Sequence, residues 1–358
     1  MENKNRRFNL KNIILAIILG INVIVIAVLL YFLSPVNKTG EDVTFVIEEG
    51  TSRVQIGDDL VEQGLIKNSL FFYGYSVLMG KNNIYAASYK LNDNMCLSEI
   101  VNVLSEGGVN TDEITITFEE GLNMREIAKV IEENTNNTYD EVIAFSNDDK
   151  YIDELIQKYW FITKDVKNKN IYYSIEGYLF PDSYNFSSKD VTVKEIFDEM
   201  ISNMDKQLEK YKSVFSKKDY SIHQIMTVAS MIELEVTEDS RKDVAGLFYN
   251  RLDDNMSLGS DPTSYYGAKK SMNAELSQAE YDNLNAYNTR AIGMEGKLPV
   301  GPISNPSINA IDAALNPNKH DYYYFVTDKN GKVYLTKDYE THNKTINKLK
   351  TEGLWLEW

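Results

Sequence analysis

The chain has 358 residues, is 43% hydrophobic and 25% charged, and has a mean hydropathy of −0.35, enough to bury the cores of two or three modest domains. A nucleic-acid ligand needs clustered Lys and Arg to displace its counterions, so a net charge of −16 and a pI near 4.8 argue against one. The single cysteine, Cys96, cannot form an internal disulfide, and His223, His320 and His342 are scattered, so no disulfide framework, metal site or cofactor is expected.

The first element is unambiguous in composition. Ile13 to Leu33, IILAIILGINVIVIAVLLYFL, is an apolar run of about 20 residues, matching a hydrocarbon layer of about 30 Å. Asn22 is its only strongly polar side chain. Lys4, Arg6, Arg7 and Lys11 precede it and the chain turns acidic after it. The positive-inside rule then makes residues 1–12 a cytoplasmic tail and puts everything after Ser34 outside. A cleaved signal peptide would have a shorter apolar core and a small-x-small cleavage site, which LSPVNKTGED does not offer. The expectation is a single-pass anchor in the cell membrane, followed by a linker over 34–43.

Next, one pattern occurs twice. TFVIEEGTSRVQIGDDLVEQGLI (Thr44–Ile66) and ITITFEEGLNMREIAKVIEEN (Ile114–Asn134) each run from a β-branched alternating stretch through Glu-Glu-Gly into an amphipathic helix. Aligning Gly50 with Gly121 also aligns Ile56 with Ile127 and Leu60 with Ile131. Such a strand–turn–helix unit resembles LysM modules, small βααβ domains that bind N-acetylated glycans. Two packed α/β units without a ligand fit the pattern equally well. The LysM-like part is assigned to residues 44–110 and a second, mixed α/β domain to 111–358, an α+β protein as a whole.

Asn134–Asn147 reads as a polar surface loop leading into a helix. Residues 148–220 read as mainly helical, interrupted by SIEGYLFPDSYNF (Ser174–Phe186), where Pro181 favours an extended or turn backbone. That interruption is either a packed aromatic loop or one wall of a groove.

Ser221–Thr237, SIHQIMTVASMIELEVT, has helical spacing, with Ile222, Ile225, Met226, Ala229, Ile232 and Val236 on one face. Glu233 and Glu235 stand on opposite borders of that face. A carboxylate at the edge of an apolar stripe is partly desolvated, which raises its pKa and suits it to general-acid work. Periodicity does not choose between the two, and either could be a solvated surface residue.

Downstream the composition shifts to turn residues and amides, in LFYNRLDDNMSLGSDPTSYYG (Leu247–Gly267), AYNTR (Ala286–Arg290) and KLPVGPISNPSINAIDAALNP (Lys297–Pro317). YYYFVTDKNGKVYLT (Tyr322–Thr336) reads as a hairpin turning at Asn330-Gly331, and THNKTI (Thr341–Ile346) follows. No GxSxG elbow, P-loop or GxGxxG after a strand is present.

Taken in order, the anchor, the LysM-like part, EGYLFPDSY, VASMIELEVTEDSRKDVAGLFYNRL, SDPTSYYG, AYNT, PVGPISNP, YYYFVTD and THNK resemble the MltG/YceG endolytic transglycosylases over nearly the whole chain. The family's helix motif reads Ala-Ser-Ile-Val-Glu-x-Glu with the second Glu catalytic, which implies Glu235 on a lysozyme-like catalytic helix. Soluble lytic transglycosylases pair such a Glu with a Tyr-Asn motif, and Tyr287-Asn288 is similar. The chain departs from the family in having Glu233-Leu234-Glu235-Val236 where Glu-Lys-Glu-Thr is usual, and a longer segment after AYNT. Those departures bear on groove shape.

The resemblance implies cleavage of the bond between N-acetylmuramic acid and N-acetylglucosamine in nascent peptidoglycan strands. Glu235 would act as acid and then as base, leaving a 1,6-anhydromuramyl end. It further implies substrate contacts from Asn250, Asp261, Thr263, Tyr287, Asn288 and Thr289, and partners among penicillin-binding proteins and the elongation or division machinery. Asn250 could instead bridge helices, and Asp261 could cap a turn. Two rival readings remain, a muramidase using Glu235 with Glu233 or Asp261, and a non-catalytic glycan-binding scaffold.

Overall fold

The apolar run folds as one helix, α1 (Leu10–Leu33), in the computed structural model, which describes residues 10–37, 40, 42–48, 50–81, 83–107 and 113–355. Residues 1–9 of the expected tail, with Lys4, Arg6 and Arg7, lie outside the described residues. So do 38, 39 and 41 of the expected linker, and 108–112 around the expected end of the LysM-like part. Ile14–Leu33 is long and apolar enough to cross a membrane, and its side chains as far as Tyr31 are exposed rather than packed into a core. The chain divides into two compact units, Met1–Glu113 and Ile114–Trp358.

In the first unit, β1 (Asp42–Ile47) buries Phe45 and Ile47 on one face, as alternation requires. Ser52 accepts a hydrogen bond from the Gln55 amide and so caps α2 (Arg53–Glu62), whose Ile56 and Leu60 are buried. Asn68 caps α3 (Ser69–Leu78) in the same way. The chain returns along β2 (Ala87–Asn92), antiparallel to β1 with Phe45 opposite Tyr89, and α4 (Leu97–Glu106) closes the apolar face. The last turn of α1 docks on this unit. Phe32 stacks on Phe71 at 4.0 Å between ring centroids, and Lys67 donates to the Tyr31 carbonyl (2.9 Å) and the Ser34 hydroxyl (2.6 Å).

In the second unit, β3 (Ile114–Thr117) leads through Gly121 into α5 (Met124–Asn134), which carries an Asn123–Glu126 capping box. Here the two halves of the sequence repeat part ways, because β3 pairs with a distant strand instead of closing a second βααβ unit. After α6 (Tyr139–Phe145) and α7 (Asp149–Lys158), the end of the aromatic interruption forms that strand, β4 (Ser183–Phe186), antiparallel to β3. Its pattern explains why it is not a loop. Tyr184 and Phe186 point into the core, while Ser183 and Asn185 face Thr117 and Thr115 and hydrogen-bond to them.

There follow α8 (Val193–Leu208), α9 (Lys212–Phe215), α10 (Ile222–Glu235), α11 (Arg241–Asp253), α12 (Asp261–Gly267), α13 (Gln278–Tyr281) and α14 (Ile308–Leu315). The hairpin is β5 (Tyr324–Thr327) with β6 (Val333–Thr336), and α15 (Tyr339–Thr351) packs on it. α10 is more than an amphipathic surface helix. Its residues are buried all round from Ile225 to Ile232, with α11, α12 and α14 against it. Its two small polar residues are satisfied inside. Thr227 donates to the His223 carbonyl, and Ser230 donates to the Thr227 carbonyl and accepts from the Ile303 amide.

The EGYLF loop meets the PISNP loop at Gly177, whose φ is +86°. Its amide and that of Leu179 both donate to Asn305 Oδ1 at 3.0 Å. A Cβ on Gly177 would stand 2.4 Å from Pro302 Cβ. Gly177→Ala should therefore destabilise the second unit by at least about 2 kcal/mol through strain and overpacking. Gly74→Ala, on α3 with nothing within 4 Å, should be neutral or stabilising by up to about 1 kcal/mol. Thermal unfolding of the full chain in detergent compares the two.

Candidate active site

Two glutamates close α10, and about 200° of helical rotation separates them, so they meet different surroundings. Glu233 faces inward. It accepts from the Ser307 amide (2.8 Å), the Ser307 hydroxyl and Arg241, and its side chain is only 5% exposed. Arg241 begins α11 and Ser307 caps α14, so this carboxylate ties three helices together. All of its acceptor capacity goes to structure.

Glu235 is partly accessible and faces the loop that leads into α12. Burial raises its pKa most, the Asp261 carboxylate adds to this, and the Ser260 hydroxyl, Arg290 and Arg251 oppose it; the balance lies at about 7 against an ordinary 4.5. It can hold a proton at neutral pH. Asp261 is engaged, accepting from the Tyr281 hydroxyl at 2.8 Å and pairing with Arg290, although its side chain remains 48% exposed. Arg251 donates to the carbonyls of Leu258 (2.6 Å) and Tyr323 (2.6 Å) and lies over the Tyr324 ring at 5.4 Å, fastening the 257–258 segment to the hairpin.

The remaining residues singled out in the sequence build the frame of this site. Thr263 and Thr289 are fully buried and bridge hydroxyl to hydroxyl at 2.9 Å, while the Ser260 amide donates to Thr289 Oγ1 at 3.0 Å. Asn288, also buried, accepts from Ser264 (2.7 Å) and donates to the Tyr281 and Asn283 carbonyls. Tyr287 is buried and accepts from the Tyr172 amide at 3.1 Å. Asn250, partly exposed, donates to the carbonyls of His320 and Tyr322. Glu235, Asp261, Thr263 and Thr289 thus converge on one loop, whereas Asn250 fastens the approach to the hairpin.

Three residues that sequence reasoning left unassigned prove important. Ser260 and Arg290 flank Glu235. Glu176, in the EGYLF loop, is 2% exposed and accepts from the Met124 amide (2.9 Å), Asn305 (2.9 Å) and the Tyr266 hydroxyl (2.9 Å). Burial pushes its pKa up to about 7 against those donors. It joins α5, α12 and the PISNP loop. His223 is a structural link as well: Nε2 donates to the Val300 carbonyl (3.0 Å), so Nδ1 accepts from the Tyr178 hydroxyl (2.8 Å).

Comparison with known proteins decides the family. Residues 45–348 match the model of the YceG-like family. The chain belongs to the YceG-like family. Within it, the chain is 36% identical over 321 residues to the endolytic murein transglycosylase of Bacillus subtilis, covering 88% of this chain and 87% of that one. It is 30% identical to the endolytic murein transglycosylase of Streptococcus pneumoniae serotype 2, strain D39, over 85% of this chain and 58% of that longer one. The crystal structure of a putative yceG-like protein from Listeria monocytogenes superposes with a TM-score of 0.61 at 33% identity, covering 86% of this chain and all of that one. The YceG-like fold and the YceG-like sequence therefore coincide.

The two glutamates of α10 should respond oppositely to substitution. Glu233→Ala strands Arg241 and should cost about 3 kcal/mol or more. The folded pKa of Glu235, about 7, exceeds its unfolded value, so its contribution to stability is fully present below about 4.5 and is lost as pH rises through 7. Glu235→Gln should accordingly stabilise the chain at pH 8, on the order of 1 kcal/mol, and not at pH 4.5. Unfolding temperatures at the two pH values test both statements.

Proposed function

We propose that the chain is a membrane-anchored endolytic murein transglycosylase, with Glu235 as its single acid and base. The observation that carries this reading is a partly accessible carboxylate, its pKa raised by burial to about 7, at the end of a core helix whose other glutamate is fully paired. The names of the Bacillus and Streptococcus relatives support the same activity and a peptidoglycan substrate.

The chemistry needs two proton transfers through one carboxyl group. Glu235 donates it to the glycosidic oxygen as the bond from that oxygen to C1 of the muramyl residue breaks, freeing the 4-hydroxyl of N-acetylglucosamine. The muramyl 6-hydroxyl then attacks C1, and its proton returns to Glu235 as the 1,6-anhydro bridge closes. No water is consumed. A hydrolase needs a second carboxylate as nucleophile or water activator. Glu233 is committed to Arg241 and Ser307, and Asp261 to Arg290 and Tyr281, so an internal nucleophile held by ring geometry fits this site better. In this reading Asp261 and Asn250 meet substrate at the groove, while Thr263, Tyr287, Asn288 and Thr289 act from beneath, holding the loop that faces Glu235.

The apolar α1 fits a membrane anchor, with the basic residues before it cytoplasmic and both units outside. The β1–α2–α3–β2 order of the first unit supports a LysM-like, glycan-holding role. Penicillin-binding proteins, which make the nascent strand, are the partners proposed for this position.

Mass spectrometry of nascent strands treated with the full chain should find anhydromuramyl ends with the wild type. Glu235→Gln should lower their rate of appearance by at least about 100-fold. Reducing muramyl ends would make the chain a hydrolase. The acid must be protonated, so kcat/KM should fall about tenfold per pH unit above 7, the pKa of Glu235, and a profile flat to pH 9 would exclude that residue as the acid.

A further inference from the structure

Beside the candidate acid lies a cavity of about 170 Å³ between the first turn of α5 and α12. Leu234 and Pro262 line it, the chain neighbours of Glu235 and Asp261, together with Arg125, Tyr266, Lys270 and, at an exposed edge, Glu120.

Several of its polar groups are already engaged. Lys270 donates to Glu280 (2.7 Å) and the Glu275 carbonyl (2.9 Å). The first amides of α5 go to Glu176 and to the Asn123 side chain, and Glu126 accepts from the Asn123 amide. Arg125 differs. Its guanidinium lies 5.6 Å from the Tyr266 ring, Nη2 makes one long bond to the Lys270 carbonyl (3.4 Å), and Nη1 is buried with no hydrogen-bond partner among the described residues. A buried cationic N–H without an acceptor is costly, and a guanidinium fork matches a carboxylate in shape and charge. Glu120 at the edge disfavours a dianion such as phosphate more than a single carboxylate. In a chain of net charge −16, a guanidinium with an open N–H offers an anion a local site that the overall field does not.

We propose that Arg125 binds a carboxylate of the peptide branch carried by the muramyl residue, so that the enzyme reads peptide-bearing glycan next to the bond it cuts. This rests on the glycan-cleaving reading above. The branch leaves the same sugar whose C1 reacts, which matches a chamber bordered by the neighbours of Glu235 and Asp261. The competing role for Arg125 is structural, because its charge also acts on buried Glu176.

Binding separates the two roles. The full chain in detergent, carrying Glu235→Gln to prevent cleavage, is titrated with labelled glycan strands of three kinds: with free-carboxylate peptides, with the carboxylates amidated, and with the peptides removed. The chain should prefer free-carboxylate strands about tenfold over the other two. Adding Arg125→Gln should bring that ratio close to one, and Arg125→Lys should restore part of it. Equal affinity for all three strands in the parent would overturn the proposal. So would an equal loss on all three strands with Arg125→Gln, which is what support of Glu176 predicts. Anhydro ends from the wild type are scored separately. A selectivity that depends on Arg125 without such ends defeats the activity reading alone, and anhydro ends without selectivity defeat the chamber alone.

Discussion

A carboxylate withdrawn from water must be met by donors or hold a proton, and the second unit is organised by how three glutamates meet that condition. Glu233 is met by Arg241 and Ser307, and in being met it fixes the ends of three helices. Glu176 is met by an amide, an asparagine and a tyrosine, and it fixes a helix start and two loops. Glu235 is met only in part: Ser260 and two arginines already engaged elsewhere lie close enough to lower its pKa without offsetting burial. Rigidity around the first two holds the third where burial raises its pKa while its carboxylate stays partly accessible. The candidate acid is a by-product of good packing everywhere but at one place.

The same logic accounts for what surrounds Glu235. The loop facing it from Ser257 to Ser260 pairs with no strand, and it is held by Thr289, Thr263 and Arg251 through hydroxyl and carbonyl contacts. Residues of small volume and two-way hydrogen bonding suit that task, because each satisfies a buried backbone group without forcing a new cavity. The dense amide and hydroxyl motifs downstream of α10 therefore serve chiefly to keep a non-repetitive backbone in one conformation.

Much of this was legible beforehand, and the limits have physical causes. The apolar run, the helix of α10, the hairpin and the strand before each Glu-Glu-Gly follow from local periodicity and turn chemistry, which a sequence displays directly. The end of the aromatic interruption was not legible as a strand, because Ser183–Phe186 takes its meaning from Ile114–Thr117, far away in the chain. Likewise α10 reads as amphipathic but is buried nearly all round, since Thr227 and Ser230 satisfy their hydroxyls on the backbone and so pass as core. The role of Glu176 and the difference between Glu233 and Glu235 depend on which donors arrive from other loops. Spacing carries no record of that; only the resemblance of the whole motif set pointed to the second glutamate.

The join at the top of α1 has a mechanical meaning. With Phe32 stacked on Phe71 and Lys67 gripping the Tyr31 carbonyl and Ser34, the first unit is clamped to the helix rather than hung from it. A tether lets its cargo sweep a hemisphere, whereas a clamp transmits torque. With α1 in a bilayer, as proposed above, tilt or rotation of the helix would turn the first unit with it, as a pedestal turns with its shaft. In that proposed setting lipid thickness, which sets the tilt of a single hydrophobic helix, would also set the heading of the first unit.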